Sequence, residues 1–252
     1  MQFRETGVKG NPAIILLHGG GLSWWSFEGV INALKDDYHI ITPILDGHGE
    51  DGLEPFISIE QCASRLIAYI DAEHNGSVFA LTGLSIGAQI AVEVLSRRPN
   101  TAKYAIIESA LVMPMKSVRY FAAPMYRLCY GLTKQRWFAR LQAKSLCLPK
   151  EKVAQYYDDG LLIQRQSLIN LTLSNSSYRL KNGLTKTRAK ALVIVGEREL
   201  RIMKQSAQAL HLTIPESELY VAPAMKHGEL SLLHPMQYAA ILRAFFKDEF
   251  RP

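Results

Sequence analysis

At 252 residues the chain is long enough for one large domain with a generous core, and a second full domain is not required. Hydrophobic residues at 48% and charged residues at 21% exclude a disordered chain. The net charge of +6 is unevenly spread: residues 111–185 hold twelve Lys or Arg against Glu151, Asp158 and Asp159, and the remainder is slightly acidic.

The first residues, Met1-Gln2-Phe3-Arg4-Glu5, carry no apolar segment behind a basic start, and no run reaches transmembrane length. Cys62, Cys129 and Cys147 are odd in number and lack metal-ligand spacing, so they read as buried, reduced thiols. Both features predict a cytoplasmic protein. Before Ala13 there is room for one strand at most. Short aliphatic runs then recur at Ala13 to Leu17, Tyr38 to Thr42, Val78 to Leu81, Tyr104 to Ile107, Ala191 to Val195 and Glu218 to Val221. They are nearly continuous in hydrophobicity, the pattern of strands buried on both faces of a parallel sheet.

Helices are legible between the strands. Ser58-Ile59-Glu60-Gln61 is a capping box ahead of an apolar stripe at Leu66, Ile67 and Ile70. Ala88 to Arg97 reads as a helix, and so does the segment from about Pro235 with Tyr238, Ile241, Leu242 and Phe245. Between Leu111 and Leu184 the alternation stops. Met115 to Leu132, Trp137 to Leu141 and Leu161 to Leu173 show helical periodicity without a strand. The simplest reading is a core of residues 1–110 and 186–252 with a helical cap at 111–185, whose Met and aromatic stripe is ordinary packing. Its basic excess could meet an anionic substrate or an acidic membrane surface. No nucleic-acid reader motif accompanies the charge.

The chemistry-bearing motifs sit at strand ends. Gly83-Leu84-Ser85-Ile86-Gly87 follows one strand and opens a helix, the context in which a tight turn pushes a serine out as nucleophile. A serine hydroxyl needs a base, and the base needs a carboxylate. His227 follows the last strand by a short loop and comes late in the chain. His18, His39, His74, His211 and His234 fall at positions better suited to bracing or solvent. For the acid, Glu199 lies three residues past the strand-ending Gly196, while Glu108 ends the strand at Tyr104 to Ile107; both stay open, and Glu197 reads as exposed. The turn His18-Gly19-Gly20-Gly21 leaves backbone N–H groups free, so one of them with the N–H of Ile86 could form an oxyanion hole. It has neither the dinucleotide nor the P-loop glycine spacing.

Together with Asp46-Gly47-His48-Gly49 and His227-Gly228, these motifs give the chain a likeness that runs nearly end to end: it resembles the α/β-hydrolase superfamily. The resemblance implies a mostly parallel sheet of about six to seven strands, with helices on both faces and a helical lid insertion. It implies Ser85 as nucleophile, His227 as base, Glu199 as acid, and Gly20 and Ile86 as oxyanion donors. Glutamate replaces the aspartate usual at the acid position. Asp46 and His48 are expected to shape a loop near the site.

The expected activity is that of a serine esterase forming an acyl-enzyme, with no metal or cofactor. Its small-molecule substrate would carry a largely apolar acyl group held near Gly19, Gly21, Ser23 and Trp24. Carbon–carbon bond hydrolysis or peracid chemistry on the same residues, a non-catalytic binding protein, and a lipid-surface protein acting through the basic cap remain open alternatives.

Overall fold

Runs of consecutive aliphatic residues become the strands of one sheet because each can bury both of its faces. A computed structural model describes residues 1–251, apart from the side chain of Arg119. Its strands are β1 (Gln2–Thr6), β2 (Ala13–Leu17), β3 (His39–Ile44), β4 (Val78–Leu84), β5 (Ala102–Glu108), β6 (Lys190–Gly196) and β7 (Ser217–Ala222). They lie in the order β1-β3-β2-β4-β5-β6-β7. β1 pairs antiparallel with β3, and all other neighbours are parallel. The single N-terminal strand thus caps one edge of a seven-stranded sheet. Pro43 is accommodated in β3 because pairing with β2 stops at Ile41.

Alternate side chains of each strand go to opposite faces. Ile15 and Leu17 of β2 join a core with α2 (Ile59–Glu73), α3 (Ile86–Arg97) and α8 (Arg201–Thr213). Ile14 and Leu16 join a second core with α1 (Glu28–Leu34), α9 (Glu229–Leu233) and α10 (Pro235–Phe246). Each fully buried Leu or Ile contributes about 2 kcal/mol, so two-sided burial of five consecutive residues outweighs any local preference of that segment. The Ser58 half of the capping box forms: Ser58 Oγ accepts the Gln61 N–H at 3.2 Å.

Between β5 and β6 lie α4 (Val118–Cys129), α5 (Arg136–Ser145), α6 (Val153–Leu162) and α7 (Arg165–Ser177). The third expected apolar piece is two helices, because Ile163 turns extended at φ −67° and ψ 122°. Helix α7 is tied to the loop before α2: Ser167 and Ser174 hydroxyls accept the N–H groups of Phe56 and Ile59, and Asn170 donates to the Phe56 carbonyl. On α6, Asp159 accepts the Trp25 indole N–H at 2.7 Å.

Two expectations need correction. The stripe on α4 is not packed inside: Phe121, Met125 and Leu128 are exposed, and small Ala122 is what α4 buries. Cys62 is buried, but Cys129 and Cys147 are partly exposed. Among the described residues no helix is long and apolar enough to cross a membrane.

Candidate active site

Every group of the site stands at or just past the carboxyl end of a parallel strand. Ser85, between β4 and α3, is held at φ 56° and ψ −115°, a conformation costly for a residue with a side chain. The turn exists because its flanks have none. A methyl on Gly83 would run into the Gly87 carbonyl, and one on Gly87 into the carbonyls of Leu17 and His18. The Ser85 N–H donates to the Glu108 carbonyl on β5 at 2.9 Å, and the Ser85 carbonyl accepts from Gln89 at 3.0 Å to start the helix.

Beside it, the loop after β2 is braced by His18. Its Nδ1–H donates to the Gly19 carbonyl at 2.9 Å and its Nε2 accepts the Leu45 N–H at 3.1 Å, which sets the neutral tautomer. Burial first, then the nearby His48, pushes its pKa down to about 3. The Leu22 N–H also points at the Gly19 carbonyl. Since a trans peptide sets N–H opposite C=O, the Gly20 N–H is turned away from His18 and Leu22. Ile86 is the first residue of α3, where a helix leaves its N–H without an intrahelical acceptor.

The exit loops of β6 and β7 are stitched together. Glu197 and Arg198 N–H groups donate to the carbonyls of Ala222 and Met225, both at 2.9 Å. Glu197 is exposed, its carboxylate accepting the Ala224 N–H at 2.7 Å. Glu199 is buried, with its Oε1 taking the Gly196 N–H at 2.8 Å and the Ser109 hydroxyl at 2.7 Å. Its Oε2 accepts the His227 Nδ1–H at 2.7 Å. Burial disfavours its charge, yet the hydrogen bond and charge of His227, with the Gly196 and Ser109 donors, hold the carboxyl below its ordinary value.

Glu108 differs. It is fully buried, receives the Ser231 N–H at 3.4 Å on Oε1, and its Oε2 has no partner among the described residues. Burial pushes its pKa up to about 7. Of the two carboxylates left open by sequence, Glu199 is the one on the imidazole.

Ser85 and His227 open onto one cavity of about 50 Å³, whose wall includes Gly19, Gly20, Leu22, Leu84 and Leu232. No hydrogen bond joins the Ser85 hydroxyl to the imidazole among the described residues. Apo sites often show this, because such bonds tighten only with substrate. Ser145 and Leu146 also line the cavity and escaped the sequence reading. They arrive from the end of α5, where Cys147 takes the left-handed conformation at φ 54° and Leu148 N–H bonds the Ala143 carbonyl. A glycine at position 147 would have signalled that turn; a cysteine does not.

Gly21 faces a different small cavity, with Tyr126, Tyr156 and Tyr157. Ser23 is buried against Gly49, and Trp24 carries the Arg4 guanidinium 4.5 Å above its ring. Neither lines the cavity at Ser85, because the 3-10 turn Trp24–Phe27 swings the chain round toward β1. Asp46 is buried and accepts the Arg65 guanidinium at 2.7 Å, and His48 donates to the Asp46 carbonyl, so both shape their own loop.

The sequence model of the Alpha/beta hydrolase family matches residues 14–241. The chain belongs to the alpha/beta hydrolase family. An AB hydrolase superfamily protein of Gibberella zeae is 29% identical over 140 residues, covering 55% of this chain and 48% of that protein. The chain thus spans about half the length of that curated relative. Among solved alpha/beta hydrolase folds, a family protein from Desulfitobacterium hafniense is 22% identical, with a TM-score of 0.79 over 97% of this chain and 99% of that one. A thermophilic esterase from Thermogutta terrifontis is 17% identical, with a TM-score of 0.78 over 99% of this chain and 94% of that one. At these identities the likeness is one of fold.

Proposed function

We propose that this alpha/beta hydrolase is a serine esterase that passes through an acyl-enzyme. The observation that carries the reading is the 2.7 Å bond from His227 to the buried carboxylate of Glu199, on the rim where Ser85 is forced into its strained turn. In the first step His227 Nε2 takes the Ser85 proton as Oγ bonds the ester carbonyl carbon. The N–H groups of Gly20 and Ile86 hold the oxyanion, each contributing about 3 kcal/mol at the transition state. The imidazolium, steadied by Glu199, gives its proton to the departing alkoxide. Water then attacks the acyl-serine, His227 takes the water proton and returns it to Ser85, and the carboxylic acid leaves.

Esters fit this arrangement better than amides because an alkoxide leaves more readily. The esterase of Thermogutta terrifontis, similar in fold, is in keeping with that choice. The cavity of about 50 Å³, walled by leucines from both the core and α5, suits an acyl group of a few carbons. Residues 111–185 serve as the lid, because Leu146 just past α5 and Leu171 from α7 close over Gly20 and its neighbours. The test is labelling by a fluorophosphonate and turnover of p-nitrophenyl acetate, butyrate and octanoate. Wild type labels and turns over the two short esters, and Ser85→Ala does neither. Equal labelling of the two proteins would refute the assignment.

A further inference from the structure

The apolar stripe that sequence placed inside the cap lies on its outside. On α4 and the turn after it, Phe121, Met125, Leu128 and Leu132 follow helical spacing, and Leu128 is 86% exposed. Helix α5 repeats the pattern with Trp137 and Leu141, 58% and 60% exposed. Directly alongside on the same helix run Arg136, Arg140 and Lys144, one turn apart. Arg136, Arg140 and Lys150 line a groove of about 290 Å³ in which Asp158 is the acid. Among the described residues none of Arg136, Arg140, Lys144 and Lys150 enters an ion pair. Three other cations of the segment are engaged, Lys152 with Glu28, Lys181 with Glu60 and Glu93, and Lys134 with three carbonyls, while Arg136 lies 5.0 Å over the Tyr157 ring.

Exposed Leu, Phe and Trp cost free energy in water, and adjacent unpaired cations repel one another. Both costs fall against an anionic surface with an apolar layer beneath it. We propose that the outer face of the cap, α4 and α5, docks on an anionic lipid bilayer, with a headgroup phosphate seated in the groove of Arg136, Arg140 and Lys150. Trp137 and Leu141 then enter the interface while the arginines stay at headgroup level. Each basic side chain brought to such a surface strengthens partitioning about fivefold, so three raise it about a hundredfold. The docking is independent of turnover at Ser85.

The test is co-sedimentation of the full chain with vesicles of phosphatidylcholine alone or mixed with phosphatidylglycerol. The expected result is about a hundredfold preference for the anionic vesicles, declining with salt. Arg140→Glu/Lys150→Glu, whose side chains enter no ion pair among the described residues, lowers that binding at least about twenty-five-fold. Leu128→Ser/Leu141→Ser lowers it on the same vesicles without changing the salt dependence. Both variants keep the wild-type melting temperature, which separates docking from unfolding. Glycerol 3-phosphate separates a free anion site from a bilayer site: binding of glycerol 3-phosphate by the chain with no binding of anionic vesicles would overturn the proposal. Equal binding to neutral and anionic vesicles would overturn it too, as would a concentration-dependent dimer that the double variants abolish while no vesicles are bound.

Discussion

Glu108 offers a direct check on the electrostatics of the site. It lies fully buried at the end of β5, where among the described residues its Oε2 and the phenol of Tyr238, which senses its charge, have no partner. In the folded protein burial raises its pKa from 4.5 to about 7. Between these values the folded chain keeps a proton that the unfolded chain has lost, so the stability it contributes is full below pH 4.5 and falls as pH rises to about 7. At about 1.36 kcal/mol per pH unit, the loss is about 3 kcal/mol. Buried His18, with its pKa near 3, works in the opposite sense, because the unfolded chain binds the extra proton up to the ordinary histidine value. The two slopes therefore oppose each other between pH 4.5 and 6.5 in wild type.

Glu108→Gln removes one of them. Urea denaturation of wild type and variant at a series of pH values, extrapolated linearly to water, is expected to show the variant gaining about 3 kcal/mol on wild type between pH 4.5 and pH 8. The variant's own stability should climb with pH more steeply than that of wild type, since the lowered pKa values of His18, His48 and His74 are then unopposed by Glu108. A constant difference across that range would show that Glu108 ionises normally and that the burial argument is wrong. Esterase turnover should fall little, since Glu108 makes no hydrogen bond to His227.

Glu199→Gln should cut kcat on p-nitrophenyl butyrate by about 10³–10⁴-fold, because an amide cannot steady the imidazolium; a loss under tenfold would move the acid elsewhere. The same substitution should flatten acid denaturation, since a carboxylate held below its ordinary value adds stability that disappears as pH falls through its folded pKa. Ser85→Gly should abolish labelling yet raise stability by about 1 kcal/mol in thermal melts, the strain relieved less glycine's entropy. Gly87→Ala should cost about 3 kcal/mol or more, its methyl meeting backbone carbonyls that cannot move. Gly160→Ala on α6, with open space around it, should gain about 1 kcal/mol.

The sheet and the serine turn were legible because both depend on neighbours along the chain. Five aliphatic residues in a row bury as a strand wherever they are placed, and Gly83 and Gly87 permit the elbow through their own missing side chains. Ser85 and His227 could be picked out from their positions after such strands. What sequence left open was settled by groups distant along the chain. Glu199 rather than Glu108 meets the imidazole because hydrogen bonds between the β6 and β7 loops set the two side by side. Trp24 turns toward Arg4, Leu146 reaches the cavity through a left-handed Cys147, and the α4 stripe faces outward because Ala122 packs in its place. Helical periodicity states that a stripe exists; only packing against α7 and its neighbours decides which side of it meets water.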